Sequence, residues 1–416
     1  MNFLLLPLPS ALLLNSPPMQ AAAELPTITA PSRAATSRVQ AVDIVRGLVM
    51  VIMALDHVRD FWSSTAFRPE DLTQTTGLLF FTRWITHFCA PTFVFLSGVS
   101  VWLQQQRQGS RGTTSRFLLT RGLWLIVVEL VIITFLLQWS HTMLLLEVIW
   151  AIGGGMVLLA GLVWLPRPLL VVVAALILLG HDALPFTQPV TPANAGWALL
   201  HNTPFVLPLG PSLPALLVAY SLGPWLGVML AGYVIGPWFA RPLPERARLL
   251  RLAGVGLLGL FVALRATNWY GDPAPWSLQP RGWFYTVLSF LNVNKYPPSL
   301  LFLCLTLGVS LLLLSRLETT DTRLTRWLRT FGQVPFFYFL LHLLLISAGA
   351  WVWTQLAFGQ AINLSFTPPP TWPKEYAPNL LRAYTVWAVV VLVLYWPCRW
   401  YRNFKQQHTY WWLSYL

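Results

Sequence analysis

From residue 41 onward the chain alternates long apolar runs with short polar ones. A helix needs about 20 apolar residues to cross the core of a bilayer. The pattern predicts ten spans, near 41–62, 79–103, 117–138, 143–164, 168–180, 215–238, 249–267, 297–315, 331–353 and 379–401. The fifth, "LLVVVAALILLG", is short for a full crossing. The expected fold class is all-α, a polytopic integral membrane helical bundle of about ten transmembrane helices. It would occupy residues 38–405, followed by a cytoplasmic tail at 406–416. The segment before it, "MNFLLLPLPSALLLNSPPMQAAAELP", has an apolar core, but no Lys or Arg precedes that core and Pro interrupts it. Residues 1–37 therefore read as a disordered leader, or a start codon assigned too early, rather than a signal peptide.

Charge gives the bundle an orientation. Arg33 and Arg38 precede the first span, and Arg107, Arg111, Arg116 and Arg121 join the second to the third. Arg167, the group Arg241 to Arg251, the group Arg316 to Arg329 and the run Arg399 to Lys405 continue the series. Every second loop is basic, which places both termini in the cytoplasm by the positive-inside rule. The intervening loops are longer, and residues 181–214 contain no Lys or Arg.

Composition agrees. The chain is 56% hydrophobic and only 10% charged, where a soluble domain carries about 25% charged residues. A net charge of +13 would raise nucleic acid as a partner in a soluble protein. Here the basic residues follow alternate loops, so the partner they indicate is membrane lipid. The three cysteines, Cys89, Cys304 and Cys398, are odd in number and lack metal-type spacing, which indicates neither a disulfide framework nor a metal site.

Against this apolar background the ionisable residues stand out. The first span ends in "ALDHVRDFW" (54–62), and an Asp facing lipid costs about 3 kcal/mol on insertion scales. His57 lies ~24 Å into its helix at 1.5 Å per residue. On the second, antiparallel span, Arg83 and His87 lie ~6–12 Å from the same membrane surface and share a face at i,i+4 spacing. The four side chains Asp56, His57, Arg83 and His87 are thus expected in one outward-facing pocket, with His342 near mid-depth below them. Glu129, Glu147 and Lys295 add further polar groups. A buried His is also a common helix–helix hydrogen-bond donor, and Arg83 can snorkel. Asp43 and Arg46, i,i+3 at the cytoplasmic end, read equally as a structural ion pair or as ligand-binding groups.

These residues resemble those of a known family. "RVQAVDIVRGLVMVIMALDH" (38–57) resembles the opening helix of membrane-embedded acyltransferases, with its D-x-x-R-G run (Asp43, Arg46, Gly47) and a His eleven residues after the Arg (His57). "FCAPTFVFLSGVSVWL" (88–103) is similar to the second-helix signature P-x-F-x-F-x-x-G-x-S, and "FGQVPFFYFLLHLLLI" (331–346) to a late G-x-x-P-x-x-x-Y-x-x-H helix. The likeness spans residues 38–346. It is nearest to bacterial relatives of the heparan-alpha-glucosaminide N-acetyltransferases, known as a domain of unknown function, with an acyltransferase-3-like first helix. The heparan-modifying enzymes carry a His in the stretch equivalent to "LTQTTGLLFF" (72–81), which has none here, so that catalytic assignment does not transfer. By the acyltransferase-3 pattern, His57 would be the catalytic histidine.

The resemblance implies an enzyme of a bacterial inner membrane that moves an acyl group, acetyl being the expected one, from cytoplasmic acyl-CoA to a hydroxyl or amine of an extracytoplasmic sugar or glycoconjugate. His57 can take the acceptor's proton, Asp56 or Asp60 can orient its ring, and Arg83 and His87 can stabilise the oxyanion. Asp43, Arg46, Arg121 and His342 are the residues expected to hold the donor. Direct transfer and an acyl-histidine intermediate both stay open, as does a homo-oligomer. The same buried His and carboxylates would also suit a proton-coupled transporter.

Overall fold

The computed structural model describes residues 39–185, 189–202 and 204–414; the leader assigned to 1–37 lies outside them. Helices follow in the order α1 (Gln40–Trp62), α2 (Gly77–Gln108), α3 (Arg111–Gln138), α4 (Val148–Leu162), α5 (Arg167–Gly180), a short α6 (Ala195–His201), α7 (Leu222–Ala240), α8 (Leu243–Thr267), α9 (Trp283–Leu291), α10 (Leu300–Leu317), α11 (Arg323–Gln333), α12 (Pro335–Phe358) and α13 (Leu380–Gln407). Seven of these, α2, α3, α7, α8, α10, α12 and α13, are long and apolar enough to cross a membrane. The helix α1 has the length but carries five charges, while α4 and α5 are shorter. The protein is an integral membrane helical bundle, with helices at all ten predicted spans.

The charged helix α1 is the one the bundle surrounds. It packs against α2, α10, α11, α12 and α13, whereas α8 and α13 turn leucines and valines such as Leu252, Val262, Leu392 and Val393 outward. Burying the charged helix and exposing the apolar ones is the arrangement that lipid as a solvent favours.

Three departures from the predicted spans have local causes. The fourth and sixth spans begin as strands rather than helix. β1 (Met143–Leu146) pairs in parallel with β3 (Ala215–Val218), Met143 opposite Ala215, and β2 (Phe205–Leu207) pairs with β3 antiparallel, Phe205 opposite Val218. Periodicity alone does not separate a short apolar strand from a stretch of buried helix. The second span tightens into a 3-10 turn at Ile85–Phe88, because Pro91 has no N–H for the carbonyl of His87. The ninth span divides at Val334 (φ −132°, ψ 51°), since the residue before a proline, here Pro335, avoids helical geometry. His342 is thus about 10 Å from the start of its helix rather than ~16 Å.

The start of α1 and the end of α11 meet backbone to backbone. A Cβ on Gly47 would stand 1.9 Å from the carbonyl oxygen of Leu328, and one on Gly332 would stand 1.8 Å from that of Asp43. Only glycine permits this approach. Arg46 reinforces it with Nη1 donating to the Gly332 carbonyl (3.3 Å) and Nη2 to Ser100 Oγ of α2 (2.8 Å). About ten residues after each glycine, His57 and His342 come into contact.

Candidate active site

Two cavities lie side by side near the Trp62 end of α1. The first, about 510 Å³, is walled by α1, α2, α3, α4 and α12 together with loop residues. Asp56, His57, Asp60 and Arg83 all line it. The second, about 440 Å³, lies between the 66–74 loop and residues 292–295, and His87 opens onto this one. The single pocket expected from sequence is therefore two, with Arg68, Glu70 and Lys295 lining both.

An alternating chain of charge runs through the dividing wall. Arg59 Nη2 lies 2.7 Å from Asp60 Oδ1 and 2.9 Å from Asp56 Oδ1. The other Asp56 oxygen is 2.6 Å from Arg83 Nη1, and Arg83 Nε is 2.8 Å from Glu70 Oε1. His87 Nε2 ends the chain 3.7 Å from the same Glu70 oxygen. This arrangement answers how α1 tolerates so many charges: each carboxylate meets a guanidinium before it meets lipid. Burial would raise the Glu70 carboxyl, but the His87 ring and the Arg83 guanidinium outweigh it and hold it well below the ordinary carboxylate range.

His57 stands apart from that chain. Both nearby carboxylates are engaged by Arg59, and His57 makes no hydrogen bond to a described residue. Its neighbour is His342, with ring centroids 5.1 Å apart and planes tilted by 54°. His342 is fully buried. Its Nδ1 lies 3.1 Å from the Tyr338 carbonyl, which makes that nitrogen the donor and leaves Nε2 without a hydrogen-bond partner. Tyr338 stacks on the same ring at 5.3 Å. His57 is only partly buried, so one imidazole faces the cavity and a second, packed imidazole supports it.

On the α3 and α4 side of the cavity the polar groups are Glu129 and Glu147. Glu129 occupies a π turn, Glu129–Ile133, a widened turn that is frequent at functional sites. Its Oε1 accepts from the Glu147 backbone N–H at 2.9 Å, and its Oε2 has no hydrogen-bond partner.

The other expected residues lie elsewhere. Asp43 and Arg46 (3.4 Å apart) belong to the α1–α11 contact, and Arg121 is half-buried on α3; none of the three lines either cavity. Sequence reasoning missed Arg59, Arg68 and Glu70. Arg59 had a signal, its i,i+3 spacing from Asp56. Glu70 and Arg68 had none, because they come from a polar loop whose path only the tertiary structure reveals.

A family model described as heparan-alpha-glucosaminide N-acetyltransferase, catalytic, matches residues 38–264, more than half of the chain. No curated protein matches it.

Proposed function

From a chain that belongs to the heparan-alpha-glucosaminide N-acetyltransferase catalytic family, and so is a membrane acetyltransferase, we propose that His57 takes the proton of a sugar hydroxyl or amine as the acceptor attacks the acyl carbon of acyl-CoA. The observation that carries this reading is the His57–His342 pair at the first cavity. A general base needs a free ring nitrogen at the reacting surface, and His57 is the imidazole in that cavity not already engaged by a carboxylate.

The bonds balance in a simple sequence. The acceptor oxygen or nitrogen forms a bond to the acyl carbon while His57 receives the acceptor's proton. The carbon–sulfur bond then breaks, and the coenzyme A thiolate takes the proton back from His57. The free Nε2 of His342 can accept from the charged His57 ring during this interval, which makes His342 a positioning residue. Arg59 and Arg83 place guanidinium N–H donors on the cavity wall, where they can reach a developing oxyanion. A cavity of about 510 Å³ has room for a sugar ring and an acyl group together, which favours direct transfer over an acyl-histidine.

The donor is acetyl-CoA from the cytoplasm and the acceptor lies outside, in keeping with basic loops at the opposite end from the cavities. Both termini are then cytoplasmic, in a bacterial inner membrane. The test is transfer from labelled acetyl-CoA by the purified protein to a panel of sugars and glycolipids. Labelled product that requires His57 supports the reading. Solute uptake into proteoliposomes without coenzyme A, and no labelled product, would overturn it in favour of transport.

A further inference from the structure

Lys295 is only 7% exposed, yet it forms no ion pair within 4 Å and no hydrogen bond with any described residue. Its Nζ stands over a ring face, 5.0 Å from the Tyr296 centroid. It lines both cavities, as does Arg68, whose side chain is likewise without a partner among the described residues. The surrounding carboxylates are already committed. Asp56 and Asp60 bind Arg59 and Arg83, and Glu70 binds Arg83. Asp71 accepts from Thr73 and Gln74, and Glu147, across the first cavity, is beyond ion-pair distance of Lys295.

A largely buried cationic side chain without a counter-charge is a costly feature, and here the loop that carries it is pinned. Arg265, 1% exposed, donates to four carbonyls, those of Phe290, Ala274, Ser289 and Asn292, at 2.7–3.0 Å. Asp272 accepts from the Asn294 backbone N–H (2.8 Å) and from Ser299 Oγ (2.7 Å). The Asn292 side chain donates to the Glu70 carbonyl at 3.0 Å and so ties this loop to the one carrying Arg68. The loop that presents Lys295 to both cavities is therefore ordered in advance, the arrangement that keeps the ordering cost of binding low.

We propose that Lys295 and Arg68 form an oxyanion subsite between the two cavities, and that its ligand is a carboxylate or phosphate group carried by the sugar acceptor. That the anion belongs to the acceptor rests on the acyl-transfer reading above; that an anion binds there does not. Lys295 supplies the buried point charge that suits a phosphate or carboxylate oxygen. Arg68, more exposed, supplies the fork at the rim. The acceptor's sugar ring then enters the first cavity with its reactive hydroxyl or amine toward His57 and its charged substituent toward Lys295.

Calorimetric titration of the full-length protein in detergent tests this with four probes: methyl glucoside, its uronate, its 6-phosphate and coenzyme A. The expected result is tighter binding of the uronate or the phosphate than of the neutral glycoside, by about tenfold or more, the worth of one charge-assisted hydrogen bond. That preference should collapse in Lys295→Gln, shrink in Arg68→Gln and survive in Lys295→Arg. Arg68→Gln alters an exposed side chain and keeps the test open if Lys295→Gln fails to fold. Whichever charged probe binds more tightly identifies the anion. Equal binding of all three sugars, or a preference that persists in both Gln variants, overturns the proposal. Loss of coenzyme A affinity in Lys295→Gln, with sugar binding intact, overturns the assignment to the acceptor. Charge-selective binding without acetyl transfer to any probe would leave the subsite standing and sink the acyl-transfer reading instead.

Discussion

His57 of α1 and His342 of α12 meet with ring centroids 5.1 Å apart, one facing a cavity and the other fully buried behind it. The two helices come from opposite ends of the chain. They are brought into register by the glycine contact about ten residues earlier, where Gly47 and Gly332 let α1 and α11 touch. The D-x-x-R-G and G-x-x-P motifs thus have a shared structural consequence: they set the distance between two histidines.

The pair makes unequal contributions to turnover. His57→Ala should lower acetyl transfer by about 10²–10⁴-fold, the usual contribution of a general base, while the purified protein stays monodisperse. His342→Ala should lower it less. With His57 already absent, the second substitution should cost little more, since a positioning residue acts through the group that it positions. Initial rates for the two single variants and the double variant check this. A His57→Ala protein as fast as wild type would remove His57 from the mechanism.

The Asp56–Arg83 ion pair has a second, structural role. Both side chains are largely buried, at 15% and 10% exposure, so removing one partner strands a charge. Asp56→Ala or Arg83→Ala should each destabilise the protein by roughly 3 kcal/mol, whereas replacing both with similarly sized apolar residues should cost less than the sum. Thermal unfolding in detergent across the double-mutant cycle measures the coupling. Strict additivity would mean that the 2.6 Å contact carries no net energy.

Glu70 gives stability a defined pH dependence. Its folded carboxyl titrates well below the ordinary value of 4.5. Between those two values the unfolded chain binds the extra proton, so the Glu70 contribution rises with pH there. It is fully present above about pH 5, fades progressively as pH falls below the ordinary value, and is gone once pH has passed the depressed folded value. The difference in Tm between wild type and Glu70→Gln should therefore be flat from about pH 8 to about pH 5 and narrow in more acid solution. A difference that already shrinks between pH 7 and pH 5 would contradict the pairing with Arg83 and His87.

The glycine contact between α1 and α11 should tolerate no methyl group. Gly332→Ala would place a Cβ 1.8 Å from the Asp43 carbonyl oxygen, and relieving that overlap moves a backbone rather than a flexible tip. A loss of about 3 kcal/mol or more is expected, with reduced transfer because His342 shifts away from His57. Gly259→Ala in α8, where a Cβ meets nothing within 4 Å, is the control and should be neutral or slightly stabilising. Equal melting temperatures for the two variants would mean that the close approach has no consequence.

Much of this molecule was legible from residue order alone. Apolar run length marks ten helical segments because a bilayer core has a fixed thickness. The cost of a charge in lipid singles out α1 as a helix that other helices must cover, and with it Asp56 and His57. Proline positions foretell breaks, although only the structure shows that Pro91 tightens the turn carrying His87 and that Pro335 divides the ninth span. Strand pairing at Met143–Leu146 was hidden, because a four-residue apolar segment has no period of its own and its partner is more than seventy residues away. Sequence placed His342 below His57, but it also offered Asp56 or Asp60 as the group that orients the His57 ring; on a helix neighbouring side chains diverge, and Arg59 captures both carboxylates. What only the tertiary structure decided is the wall of Arg68, Glu70 and Lys295 that makes two cavities out of one expected pocket. Those residues come from separate loops, and loop residues acquire a common location only when the helices that carry the loops have packed.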